Sequence, residues 1–538
     1  MSKLDLYLNH YAALSDPMLA MMDHGIRVDR AKAAEKLAAL SVRCRAIQAE
    51  LAELIGANDC VCGHKREQHE QLVTPFLKKD GTVAKRKPKV TWPCGESHVK
   101  CMYGRMCVDF TPRVRALTGS TDLSSQRIVD YCYNHLGLPA QRQRGEESLT
   151  GNEVALRKLL LKAQHQAEHP MRRPTEKTAL WKREPELAVR VLTLILEHRE
   201  KAKLATYLDP SKVDRDGRMR CMYKVTTENG RLASKSNPFG TGMNLQNIPR
   251  GDMREIFVPD EGCVFLELDF SAIEDRIVKV LTQDPELIRE ARLRPDIFDT
   301  HAVAAKRAFA QLLNVHPDNV DVKVEVTPGN TRRQIFKPFN HGGNYGASPV
   351  RVQEMMLKDG ILLPLALCTK LLDAAITAPK RAYQRETRKR IMRDRKLTNS
   401  WGRELSFEGE RLDDATYRRG YAFRAASENA DNLNQLGLVP AYKYIIKHRL
   451  KTRINCQVHD SLLLSCPPDE VYDVARFVIK SMETPRVYEG VELAVPVELK
   501  MGTSWKCERE WKTLPSRAEF ERAAYDLLKG KPNAERAA

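Results

Sequence analysis

Apolar residues fill the stretch Val264–Phe270 except at Glu267 and Asp269. A run of this kind fits a buried strand, and it stops at Asp269. Ser271-Ala272-Ile273-Glu274 then opens a helical pattern, with Ser271 as the expected N-cap. Far downstream, Ile454 to Val458 and Ser461 to Leu464 form two β-type runs that flank His459-Asp460. They predict a hairpin with Asp460 at its tip. Between these stretches Arg333, Lys337, His341 and Tyr345 recur every four residues. On a helix they share one face. Elsewhere, residues 11–55 read as helices, Asp122 to Gln126 as a helix start with a capping Ser, and Leu136-Gly137-Leu138-Pro139 as a helix stop. Pro467 to Met482 reads as an amphipathic helix and Val495 to Leu499 as a strand. A helical tail begins near 515 and is expected to be disordered from Lys529 to Ala538.

The chemistry follows from where the acids fall. A carboxylate at a strand end, just before a turn, is well placed to hold a hard cation. Asp269 alone would as readily cap a helix. Two aspartates on adjacent strands can bridge a pair of Mg²⁺ ions roughly 3.5–4 Å apart, the clamp for in-line phosphoryl transfer. Two cations and a ring on one helix face suit a triphosphate and a base. The net charge of +18 over 538 residues fits a polyanionic partner or a merely basic surface. No apolar run reaches membrane-spanning length, and Met-Ser-Lys-Leu-Asp at the N-terminus has no signal-peptide core. A soluble, cytoplasmic, monomeric protein is expected. The 13 cysteines suggest reduced thiols, with or without a metal, rather than a disulfide framework.

Asp269 with Ser-x-Ile-Glu, then Arg333-x3-Lys337 leading to Tyr345-Gly346, then Val458-His459-Asp460 resemble motifs A, B and C of family A DNA polymerases, in order and rough spacing. The resemblance implies an α+β right hand: an antiparallel palm sheet with helical fingers and thumb. It divides the chain into an N-terminal segment (1–18), thumb (19–215), first palm part (216–284), fingers (285–420), second palm part (421–515) and tail (516–538). It implies template-directed addition of dNTPs to a primer 3′ end with two Mg²⁺ ions held by Asp269, the Phe270 carbonyl and Asp460. Arg333, Lys337 and His301 would bind the β- and γ-phosphates, with Lys337 also a catalytic proton donor. His341, Tyr345 and Glu274 would complete the nucleotide site. Arg231, Asn244, Gln246, Asn247, Arg403, Gln435, Gln457 and His459 would meet primer–template DNA. Minor-groove acceptors are nearly independent of sequence, which a copying enzyme needs. The basic stretch from Lys380 to Lys396 reads equally as a template track or a solvated helix.

The only Asp-x-Glu, Asp284-Pro285-Glu286, follows motif A. No proofreading exonuclease is therefore expected on this chain, and a phage-type enzyme fits, with a processivity factor or separate exonuclease as a partner. Residues 57–115 depart from the family. Cys60, Cys62, His64, Cys94, His98, Cys101 and Cys107 surround a basic stretch there. They suit a structural Zn²⁺ or free thiols in a flexible insert. Three single positions also depart. His341 stands where the family has Phe or Tyr, Ala272 where it has Gln, and Ser461 where it has Glu. His-Asp-Ser is also found in single-subunit phage RNA polymerases, which makes RNA synthesis the alternative. Glu274, at the family's steric-gate position, and Asn244-Leu245-Gln246-Asn247-Ile248-Pro249 favour the DNA enzymes. A non-catalytic nucleic-acid-binding relative is a third reading.

Overall fold

The computed structural model describes residues 7–55, 73–74, 89–90, 125–143, 146–225 and 227–530. The chain packs as two units, one of residues 1–36 and 207–538, the other Leu37–Thr206.

The first unit is built on a five-stranded sheet. Its strands are β1 (Val264–Phe270), β2 (Arg453–Val458), β3 (Ser461–Cys466), β4 (Val497–Gly502) and β5 (Arg509–Trp511). Their order is β2-β3-β1-β4-β5, antiparallel throughout. Central β1 pairs with β3 from Ser461↔Asp269 to Cys466↔Val264, and with β4 from Val497↔Phe270 to Gly502↔Phe265. Phe265, Leu266 and Leu268 are wholly buried. Helices Val471–Met482 and Arg517–Lys529 pack against the sheet. Burial on both faces explains why β1 reads as a near-continuous apolar run rather than an alternating one.

Five helices of this unit bear on the site: α1 (Ile273–Leu281), α2 (Thr300–Leu313), α3 (Arg332–Asn344), α4 (Ala378–Asp394) and α5 (Asp414–Asn432). Phe309 of α2 and Ile335, Phe336 and Phe339 of α3 share an apolar cluster with Met356 and Leu371. The start of α3 is fixed by a capping box between Thr331 and Gln334. A π-helical turn, Leu433–Leu438, follows α5. The expected Ser271 cap is not made. Ala272 takes the N-cap position in the left-handed region (φ 51°), and the Ser271 hydroxyl donates to Glu498 at 2.8 Å instead.

In the second unit, helices Glu153–Glu168 and Pro185–Thr206 bury Leu156, Leu159, Leu192 and Ile195. Arg43 donates two bonds, of 2.7 and 2.8 Å, to Glu197. Of the 57–115 stretch, only the pair Val73–Thr74 with Lys89–Val90 is described. Cys60, Cys62, His64, Cys94, His98, Cys101 and Cys107 lie outside the described residues, as do Ser124 and residues 531–538. The fold class is α+β. Among the described residues no helix is long and apolar enough to cross a membrane.

Candidate active site

The two acids predicted to meet do so through backbone geometry. The β2–β3 turn places His459 in the left-handed region (φ 55°), and the Phe270 amide donates to the Asp460 carbonyl at 3.1 Å. Ser461 and Glu498 flank Asp269 in register on either side, so all three side chains share one face. Asp269 and Asp460 both line a cleft of about 630 Å³. One carboxylate oxygen of Asp269 is buried and has no hydrogen-bond partner. Its pKa is raised well above the usual range, first by burial and then by the charge of Asp460. An unsatisfied, electrostatically disfavoured acid of this kind is a fit for a hard divalent cation. Among the described residues no group of three or more His, Cys, Asp or Glu is arranged as a metal cage. Mg²⁺ rarely needs one, because it binds through one or two carboxylates plus substrate phosphates.

Residues of α2 and α3 line the same cleft, Arg333, Lys337 and His301 among them. Asp299 caps α2 and accepts from Arg333 Nε at 2.7 Å. Burial pushes His301 down to about 4, and its Nδ1 has no partner. The imidazole is therefore neutral at pH 7. Lys337 is also lowered, by burial and then by Arg250 and Arg333. His341 meets Tyr345 edge to face at 4.8 Å. The Glu274 carboxylate accepts from Arg231, from the Tyr345 hydroxyl, and from Asn429 at 3.4 Å. A salt-bridged and hydrogen-bonded Glu274 is held against α3 rather than pointing into bulk water.

A second trough, of about 460 Å³, shares Arg231 and His459 with the cleft. Gln246, Asn247 and Gln457 line its polar side, and Leu405 and Phe423 its apolar side. Gln246 donates to both oxygens of Gln457, at 3.2 Å (backbone) and 3.1 Å (side chain). Asn244 acts within the chain, as the cap of the short turn Leu245–Asn247 and the acceptor for Ser234.

Two residues expected to meet nucleic acid, Arg403 and Gln435, line neither the cleft nor the trough, and two cations of the basic stretch, Lys380 and Arg390, are engaged within the protein. Arg403 is 3% exposed and locked in a double hydrogen bond to Asp431 (3.0 and 2.7 Å) and a third to Tyr11 (2.7 Å), so its fork is spent inside the protein. Gln435 sits on the π-helical turn and lines a separate cavity of about 570 Å³ with Leu8, Tyr444 and Phe477. Lys380, first of the basic stretch, is buried and donates to Asn340 at 2.7 Å. Arg390 is paired with Glu489 and Glu386.

The cleft also holds Asn429, Arg250, Glu498, Lys500 and Lys512, which the motifs did not point to. Alternation in Val497-Glu498-Leu499-Lys500 was the available signal. Period two puts both charges on one face of a strand whose other face is apolar. Asn429 had no such signal. It lies on a helix buried nearly all round.

Residues 140–507 match the family described as DNA polymerase family A. The chain is 30% identical over 333 residues to DNA polymerase I of Chloroflexus aurantiacus, covering 58% of this chain and 32% of that one. It is 30% identical over 334 residues to the thermostable DNA polymerase I of Thermus thermophilus (59% and 36%). It thus spans about a third of the length of these curated relatives. Among solved structures it resembles the POL domain of Pol1 from M. smegmatis, in complex with DNA primer-template and dNTP. The TM-score is 0.65 at 21% identity, over 94% of this chain and 71% of that chain. That likeness is one of fold.

Proposed function

The chain belongs to DNA polymerase family A, and on that premise we propose that it extends a primer 3′ end with dNTPs on a DNA template. The observation that carries the reading is the convergence of Asp269 and Asp460 on one cleft that Arg333, Lys337 and His301 also line. Asp269, Asp460 and the Phe270 carbonyl would hold two Mg²⁺ ions. Bound there, the ions would activate the primer hydroxyl and offset charge on the leaving oxygens. Most of the remaining barrier reduction is positioning and charge neutralisation by the protein. Arg333 and Lys337 bind the β- and γ-phosphates. Neutral His301 adds a hydrogen bond without adding charge. The lowered pKa of Lys337 makes it a readier proton donor to the departing pyrophosphate.

Glu274, held by Arg231 and Tyr345, occupies the space that a ribose 2′-hydroxyl would need. His341 packs at the sugar. Arg231, Gln246, Asn247, Gln457 and His459 face the duplex minor groove from the polar trough. In this reading 216–515 supply palm and fingers and residues 19–215 the thumb, of which 19–36 and 207–215 pack within the sheet unit. For the 57–115 insert the alternatives are a structural Zn²⁺ held by its Cys and His residues or free thiols, with a DNA or processivity-partner contact as a separate role, and metal analysis of the purified protein separates the first two. The setting is cytoplasmic.

Primer extension tests the whole reading. The unaltered chain should incorporate dNTPs far better than NTPs, and Asp269→Ala or Asp460→Ala should lose extension while still binding duplex. Extension retained by either variant removes the metal assignment. A preference for NTPs would favour RNA synthesis.

A further inference from the structure

Beneath the nucleotide pocket lies a carboxylate that the mechanism does not use. Asp275 is 5% exposed. It accepts from Thr300 Oγ1 at 2.6 Å, Asn340 Nδ2 at 2.8 Å and Asn344 Nδ2 at 3.3 Å. Lys279 Nζ stands 3.6 Å from it and donates onward to Thr300 (2.6 Å) and Glu290 (2.9 Å). Lys380 reaches from α4 to the Asn340 carbonyl oxygen at 2.7 Å. Lys279, Glu290 and Lys380 are as buried as Asp275 itself.

The sequence neighbours of this knot give it meaning. Asp275 follows Glu274, Thr300 precedes His301, Asn340 precedes His341, and Asn344 precedes Tyr345. Glu274, His301 and His341 line the cleft and Tyr345 donates to Glu274; each of the four is one peptide away from a group bonded to the same carboxylate or, for Glu274, from the carboxylate itself. The four come from three separate elements: α1, α2 and α3 with its C-cap. Apolar contacts alone would let these elements slide. Hydrogen bonds of fixed length and direction do not.

Burying four charges costs desolvation that a well-packed apolar cluster would avoid, so stability alone is a weak reason for the arrangement. Fixed geometry is a better one. We propose that Asp275 is a positioning residue that sets the width of the nucleotide pocket, and with it the selectivity for deoxyribonucleotides over ribonucleotides. This rests on the polymerase reading above.

The test compares incorporation of dNTPs and NTPs by the full chain, by Asp275→Asn, and by the swapped pair Asp275→Asn with Asn340→Asp. The swap reverses the donor but keeps the bond, the net charge and the Lys380 contact. Asp275→Asn should raise KM for dNTPs and lower the dNTP/NTP ratio of kcat/KM by about ten-fold or more. Duplex affinity should not change. The swap should recover the ratio to within about three-fold. Asn344→Ala, which leaves the Thr300 and Asn340 bonds intact, should shift the ratio in the same direction by less. It serves if Asp275→Asn does not fold. A lower melting temperature with an unchanged ratio would make the knot merely structural and overturn the inference. No extension by the unaltered chain would remove the polymerase reading, and the inference with it.

Discussion

Asp269 and Asp275 stand on the same strand–turn–helix, yet their surroundings are opposite. At the cleft, Asp269 is crowded by Asp460 and has a buried oxygen with no partner. At the floor, Asp275 is hydrogen-bonded by three side chains and faced by Lys279. Burial alone would raise both pKa values. Asp460 pushes Asp269 further up, whereas Lys279 and Lys380 outweigh burial and hold Asp275 well below the usual carboxylate range. At Asp269 the nearby charges of Lys500 and Arg250 do not offset burial and Asp460. Asp275 has all it needs from the chain. The first arrangement serves a ligand and the second serves geometry.

The contrast can be broken most sharply by neutralising each acid in turn. Asp269→Asn should cost extension about three orders of magnitude, the scale of losing a group that stabilises transition-state charge. It should leave the melting temperature of the unliganded protein unchanged or higher, since it removes repulsion. A clear drop in melting temperature would contradict the account of Asp269. Arg403→Met tests a satisfied charge of the Asp275 kind away from the cleft. It strands Asp431 in the interior and should cost about 3–5 kcal/mol by denaturant unfolding. A loss near zero would mean the pair is solvated.

Asp275 also has a pH signature. Its folded-state pKa lies below the unfolded value near 3.8, so its contribution is fully present above that value and fades as pH falls through and below it. Melts from about pH 6 to pH 3 should show an acid-side loss that Asp275→Asn lacks. Identical slopes would remove the Lys279/Lys380 explanation. Tyr345→Phe should relax sugar discrimination only a few-fold, because it deletes one bond to Glu274 and leaves Arg231 and Asn429 in place. Smallest of all, Gln435→Ala should leave duplex binding unchanged within about two-fold, a surface-scale effect. Asn429→Ala, inside the cleft, should not be silent.

The sheet and its acids were legible because strand pairing writes itself into local pattern. Val264–Phe270 announces a buried strand, His459-Asp460 a hairpin tip, and the four-residue spacing of Arg333, Lys337, His341 and Tyr345 a helix face. The placements that local pattern did not give share a cause. Arg403 looks like an exposed fork until Asp431 and Tyr11 close on it, and both partners are remote in sequence. Lys380 sits in a charged run yet points inward to Asn340. Ser271 is the right residue type for a cap but is drawn to Glu498 on a strand that the local sequence does not mention. Gln435 was named from the family resemblance alone, and it lies on a π-helical turn in a separate cavity. Local chemistry was readable; the choice among distant partners was not.

Gly230 turns with φ +76°, and a Cβ there would come within 2.5 Å of the Arg403 guanidinium. The loop that presents Arg231 therefore rests directly on the Arg403–Asp431 clamp, with no room for a methyl group. Variation at position 230 is constrained by a guanidinium that is bonded to Asp431 and Tyr11. Any side chain at 230 would meet both the strain of a positive φ and the Arg403 fork, so a lesion at 230 and a lesion at 403 would each disturb the loop that carries Arg231.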